Sequence, residues 1–500
     1  MRFHFTFICL LIAGLVSCGR PLFSADVREV IIFQTTDIHG HCGNAKETGL
    51  AQIAGNIAKK RLEHPGSTLW IDCGDLTLGT LSATMDCGAC MMPALNAAGC
   101  DIFVPGNHDF DWGLETLRRN LKAFHGTVLG ANLKLDGDFQ PQPWTLVQRS
   151  GVKIAVIGIV PPYLPLWTAE SVLRGVHAGE VEPALARVMP EVMAAKPDVI
   201  ILAIHLGEFI SKRLTGTEQG KSLSGITASY PQINLILAGH SHQTEPGKKL
   251  SSGTWMVQAP PLGADAIVCS VKVDLAAKPH KVISITSDVL GTDVHDTRLP
   301  EVCTVVNPVL AKADSFGKQK IAEVDVELGP LKNKKQPNAL AEMLCKAMCE
   351  STGSEAAFSS TVSNYTVSPG ILTENHLFKL IPYRNQIITR SLTPAQLLAI
   401  YKEQESMTED SDRMTVSGLS FPNGSQGPVI LSRTGKVLEN GERVTVSFGS
   451  HTAAGAGGRC PVLKKILQSA TPVSTSPDGN DPDLTEAFRS YLKKHYPILL

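Results

Sequence analysis

Residues 27–40 read VREVIIFQTTDIHG, an apolar, β-branched run that stops abruptly at Asp37, His39 and a glycine. Val30 to Phe33 are consecutive apolar residues with no polar face between them, the pattern of a strand buried on both sides. The same plan returns downstream: STLWIDCG (67–74) ends at Asp75, CDIFVPG (100–106) at Asn107, PDVIILAI (197–204) at His205 and INLILAG (233–239) at His240, with KIAVIGIV (153–160) as a further run. Helical patterns separate several of them, such as Leu114, Leu117 and Leu121 at spacings of three and four. Strands alternating with helices predict an α/β fold built in layers.

The texture changes after about residue 295. Val302, Val305, Val306, Val309 and Leu310 recur at helical spacing, Pro308 is expected to break or kink that helix, and 296–320 reads as an interdomain connector. A second domain over 321–500 carries helical patterns at Asn338–Glu350, Thr393–Glu403 and Leu484–Lys494, with Thr393 as N-cap before Pro394. RVTVSFGS (443–450) is strand-like, and 469–482 reads as a surface loop.

A chain of 500 residues has room for roughly three domains, or two large ones, which excludes a lone binding module. Its 46 Lys+Arg against 47 Asp+Glu give a net charge of −1, so the field needed to condense on nucleic acid is absent and no such partner is expected. Arg2 and the apolar run FTFICLLIAGLVS (5–17) are too short to span a bilayer and read as a signal peptide over 1–17. The tetrad Leu15-Val-Ser-Cys18 resembles a bacterial lipobox, so the chain is expected in the periplasm or cell envelope, lipid-anchored through Cys18. Thiols can oxidise there. Cys87-Gly-Ala-Cys90 therefore reads as a redox pair, a loop disulfide or half a zinc site, the last disfavoured because no second C-x-x-C exists. Cys73, Cys345 and Cys349 read as buried, inert thiols.

Chemistry stands at the strand ends: Asp37-x-His39, Gly74-Asp75, Gly106-Asn107-His108-Asp109, His205 and Gly239-His240-Ser241-His242. Carboxylate, imidazole and amide oxygen are the ligands that divalent transition metals take, and the carboxyl ends of parallel strands share one crevice. Residues i and i+2 of an extended segment lie on one side, so Asp37 with His39, and His240 with His242, can aim at one place. Each element alone is more often a solvated loop. Five in series, each after a buried strand, point to a dinuclear metal centre.

This series resembles the calcineurin-like metallophosphoesterases, and residues 28 to 490 are similar to their secreted 5′-nucleotidase branch. The resemblance implies a four-layer αββα sandwich over 28–295, then a mixed α+β substrate domain. It also implies two divalent ions, manganese or zinc before iron or cobalt. Asp37, His39, Asp75 and His242 would hold one, and Asp75, Asn107, His205 and His240 the other, with Asp75 bridging. His108 and Asp111 match the family's catalytic pair, the first to stabilise charge or protonate the leaving group, the second to hold its tautomer. Asn107 is expected to meet the substrate as well. Asp109 is expected to be structural, and Asp72, His41, His125 and His451 to lie at the surface.

The second domain departs from that branch. Where its members carry an N-G-G-x-I-R-like turn, this chain reads Phe358-Ser-Ser-Thr-Val-Ser-Asn-Tyr365, and an upstream arginine falls near Lys335-Gln336. The late glycine-rich turn is Gly455-Ala-Gly-Gly-Arg459-Cys460, with Thr452 at the place of a stacking aromatic. Tyr383 keeps a position that stacks on the base, and Arg384 beside it can replace a lost phosphate contact. The resemblance thus implies a phosphohydrolase acting on nucleotides or related phosphate esters through a diverged pocket, with weak, high-KM activity on AMP. A sulfate thiohydrolase acting on a protein-bound cysteine adduct shares the motifs. So does a metal-binding surface protein without catalysis, which the presence of both His108 and Asp111 disfavours.

Overall fold

The run that opens the first domain forms the strand Val27–Thr35, with Val30, Ile31, Ile32 and Phe33 all buried. The computed structural model describes residues 26–208, 222–330, 338–360, 363–407, 413–475 and 481–498. The leader, Cys18, Lys335 and Gln336 lie outside the described residues. Val27–Thr35 belongs to a six-stranded sheet in the order 281–289, 267–274, 27–35, 68–72, 102–103, 127–128. Its last four strands run parallel, and the first two antiparallel. A second six-stranded sheet has the order 245–249, 255–258, 235–237, 199–204, 152–159, 144–149, with four parallel strands between antiparallel edges.

Period-two alternation explains how the sheets stack. Along Val199–Ile204, Val199, Ile201 and Ala203 share a core with Val30, Ile32 and Trp70 of the first sheet. The alternate residues Ile200, Leu202 and Ile204 pack with Leu185, Val188 and Val192 of the helix Val181–Ala194. The helices Leu50–Glu63, Met91–Ala98 and Leu114–Ala123 contribute Ile53, Leu95 and Leu121 to the core of the first sheet. Two sheets with helices outside each give the four layers expected. No helix among the described residues is long and apolar enough to cross a membrane.

The stretch expected to be a connector is one continuous helix, Pro300–Gly317, which buries Val302 and Val306 in the first-domain core. Pro308 does not break it. Pro308 and Thr304 both lie on the exposed face, where water can take up the carbonyl that a proline leaves unbonded four residues earlier. The second domain is built on a five-stranded sheet in the order 415–417, 356–359, 444–449, 387–392, 471–472. The helices Ala339–Thr352 and Leu484–His495 cover one face, and Pro394–Glu405 and Pro461–Ser469 the other. The Thr393 hydroxyl accepts from Gln396 N, completing the expected cap.

Candidate metal centre and catalytic pair

The turns that follow five parallel strands converge. Of the ten non-glycine residues with positive φ among those described, five are Asp37, His39, Asp75, His240 and His242. Left-handed backbone at non-glycine residues is uncommon and costs energy, and here it turns successive side chains inward at the strand ends. Gly106 is required by proximity, since a Cβ there would collide with the Asp75 carboxylate and come within 2.6 Å of His205 Cε1.

The side chains fall into two groups, Asp37 with His39 and His242, and Asp75 with His205 and His240, whose candidate ligand atoms lie within 4.8 Å of one another in each group. His39 Nε2 is 3.0 Å from His242 Nε2, and His242 Nε2 is 3.4 Å from Asp37 Oδ1. Asp75 Oδ2 stands 3.1 Å from His205 Nε2 and 3.8 Å from His39 Nε2, so it reaches both groups. The donor set fits cations. Asn107 Oδ1 is buried with no hydrogen-bond partner, a state that costs about 1–3 kcal/mol unless something binds it. The other ring nitrogens are already committed, His39 Nδ1 donating to Leu78 O at 2.8 Å and His205 Nδ1 to Cys73 O at 2.5 Å, which turns each Nε2 toward the candidate metal groups.

Electrostatics divide the imidazoles: against burial, Asp75 and Asp37 carry His205 up to about 10, so its Nε2 holds a proton that a bound cation would displace. Burial drives His39 down to about 4, with Asp75 opposing, and burial together with His205 drives His240 to about 3, so both imidazoles are neutral and able to ligate. Burial also opposes charge on Asp75 and on Asp37, yet His205 and the neighbouring imidazoles hold both below the usual carboxylate range.

His108 and Asp111 sit beside these groups. His108 N donates to Asp75 Oδ1 at 2.7 Å, and His108 Nδ1 lies 2.7 Å from Asp111 Oδ2. Against burial, Asp75 and Asp111 carry His108 up to about 9. Asp109 accepts from the backbone N–H groups of Asp75, Leu76, Thr77 and Gly106, a structural use of its charge. Two residues of the second domain reach the pair: Tyr383 stacks on His108 with ring centres 4.9 Å apart, and Arg384 Nη1 donates to Asp111 O at 3.4 Å.

Two surface expectations are corrected. Asp72 is fully buried, accepting from Thr35 Oγ1 at 2.6 Å and Gly74 N at 2.9 Å, because the strand carrying it lies inside the sandwich. His451 lines the interdomain cleft, and burial followed by Arg459 lowers it to about 4. His125 is exposed and His41 half-buried. Sequence reasoning also missed Thr168, whose hydroxyl donates to Asp111 Oδ1 at 2.8 Å, and Trp167, which meets the His240 ring edge-on at 4.6 Å. Neither belongs to a strand-end motif. Cys87 and Cys90 are free thiols in the structure.

Residues 31–244 match the calcineurin-like phosphoesterase family, which has a dinuclear metal centre. Fold and site together define a metal-dependent phosphoesterase. Residues 320–464 match the 5′-nucleotidase C-terminal domain, and the two matches together are those of the 5′-nucleotidase branch of these enzymes. It is 24% identical to Protein UshA of Yersinia enterocolitica over 94% of this chain and 92% of that protein. The solved structure of a 5′-nucleotidase precursor from Thermus thermophilus covers 94% of this chain, and 97% of its own, at a TM-score of 0.68 and 20% identity. The sulfate thiohydrolase SoxB of Thermus thermophilus covers 93% of this chain and 94% of its own at a TM-score of 0.63 and 17% identity, a likeness of fold.

Proposed function

We propose that the chain hydrolyses phosphate esters of nucleotides or related compounds, using Asp37, His39, Asp75, Asn107, His205, His240 and His242 to hold two divalent ions, manganese or zinc. The observation that carries this reading is His108, tied through its backbone to Asp75 and through Nδ1 to Asp111. Merely holding metal does not require that pair. Two ions at such a site polarise a phosphoryl group and lower the pKa of bound water. The chain's own contribution is then clear. Asp111, itself held by Thr168, takes the His108 Nδ1 proton as a hydrogen bond and leaves Nε2 to hold or give a proton at the leaving oxygen. The second domain closes a cleft of about 580 Å³ against this pair. Support comes also from the UshA and 5′-nucleotidase relatives.

The same reading has the chain exported and lipid-anchored, for which the support is the Leu15–Cys18 tetrad. Mass spectrometry of the N-terminus tests that part, and an unmodified chain beginning near Asp26 overturns it. The catalytic part is tested by loading purified protein with manganese or zinc and measuring phosphate release from nucleotides, cyclic nucleotides, aryl phosphates and aliphatic phosphates. Release from none of them overturns it.

A further inference from the structure

The cleft is walled by aromatic rings from different domains, Tyr383 and Trp167. They flank opposite metal groups. Tyr383 lies on His108, whose ring is 5.4 Å from that of His39, while Trp167 meets His240, 5.3 Å from the His205 ring. Trp167 is half-buried, so part of the indole is left to the cleft.

The loop bearing Trp167 is fixed from both sides. Thr168 next to it binds Asp111, and across the domain boundary Gly457 N donates to Leu166 O at 3.2 Å and Lys464 Nζ to Pro165 O at 3.2 Å. Gly457 lies so close to the indole that a Cβ there would stand 3.3 Å from Trp167 Nε1. An aromatic held in this way loses little further entropy when a planar group settles on it. The second domain meanwhile has Thr452 in the cleft at the place where a stacking aromatic was expected, and a threonine offers no π face.

We infer that Trp167 of the catalytic domain supplies the stacking surface for a planar aromatic ring carried by the leaving alcohol, the base of a nucleoside above all, in place of Thr452. The inference rests on the phosphoesterase reading for the direction in which the ester lies, but its test does not require ester cleavage. Stacking of a base on one aromatic is worth about 1–3 kcal/mol by alanine substitution, or roughly 5- to 150-fold in affinity.

The test is calorimetric titration of the metal-loaded full chain with adenosine, and with ribose as the control that lacks the ring. Adenosine is expected to bind at least about tenfold more tightly than ribose. Trp167→Ala should weaken adenosine about tenfold or more and leave ribose unchanged, while Trp167→Phe should stay within about threefold of the parent. Metal content is measured on each variant, because Trp167 touches His240. Three results overturn the inference: no preference for adenosine over ribose, unchanged adenosine affinity in Trp167→Ala, or loss of metal in Trp167→Phe and Trp167→Ala alike, which would make the indole a support for His240. Adenosine binding without phosphate release from any ester would leave the inference standing and overturn the phosphoesterase reading instead.

Discussion

His108 touches the metal groups through its main chain and the reacting region through its ring, so the two roles can be separated. His108→Ala keeps the N–H that donates to Asp75, and it should lower kcat by about 10²–10⁴ while elemental analysis still finds two ions per chain. Loss of metal in that variant would show that the ring itself is needed to build the site. Asp72 offers a different measurement. Burial raises its carboxyl to about 7, against the effect of its bonds from Thr35 and Gly74. Its folded pKa lies above its unfolded one, so stability is full below the usual carboxylate range and declines as pH rises through about 7. Asp72→Asn removes that titration, and thermal unfolding of the ion-free protein should show the variant gaining on the parent between pH 5 and pH 7.5. Equal pH dependence would mean that Asp72 titrates normally. The candidate ligands and His108 were legible in the sequence because each sits in or beside a turn after a buried run. Asp72 was not, because an aspartate between Ile71 and Cys73 looks the same in sequence whether its strand is covered on one face or two.

The turns depend on one another. The turn after Thr68–Asp72 and the one after Ile102–Phe103 are joined by Asp109, whose carboxylate accepts four backbone N–H bonds and one from the Thr77 hydroxyl. Hydrogen bonds to a charged group are worth about 1.5–3 kcal/mol each, so losing the set should matter more than losing any one ligand contact. Asp109→Ala is therefore expected to bind both ions more weakly and to unfold at a lower temperature, in contrast to His108→Ala. Metal titration and calorimetry on the two variants side by side check this, and an Asp109→Ala protein with parental metal affinity would refute it. What the sequence could not display is the left-handed backbone at Asp37, His39, Asp75, His240 and His242. Glycine advertises positive φ, whereas an aspartate or histidine forced into it by a packed neighbour does not. Pro308 shows the converse, a strong local signal overridden because its face of the helix meets water.

The assembly of the domains was the least legible level. Periodicity marked 296–320 as helical but could not say which body the helix packs on, and nothing local pairs Tyr383 with His108 or Trp167 with His240. In the structure Pro300–Gly317 belongs energetically to the catalytic domain: Leu299 N donates to Ala51 O at 2.9 Å, and Val302 and Val306 are 0% and 1% exposed within its core. Burying one such valine stabilises by about 1.5–3 kcal/mol, an upper figure because the unfolded chain is already partly compact. A catalytic fragment of residues 26–319 should therefore melt higher than one of residues 26–295, by roughly 5–15 °C for a domain of this size. Both fragments keep every candidate metal ligand, so both should bind two ions. Neither has Tyr383 or Arg384, nor the Gly457 and Lys464 bonds that fix the loop bearing Trp167, so the longer fragment should release phosphate from a small aryl ester yet lose most of the parent's discrimination between AMP and that ester. Equal melting temperatures for the two fragments would show that the helix is a tether and not part of the catalytic domain. Full retention of AMP selectivity by residues 26–319 would show that the second domain does not present the substrate.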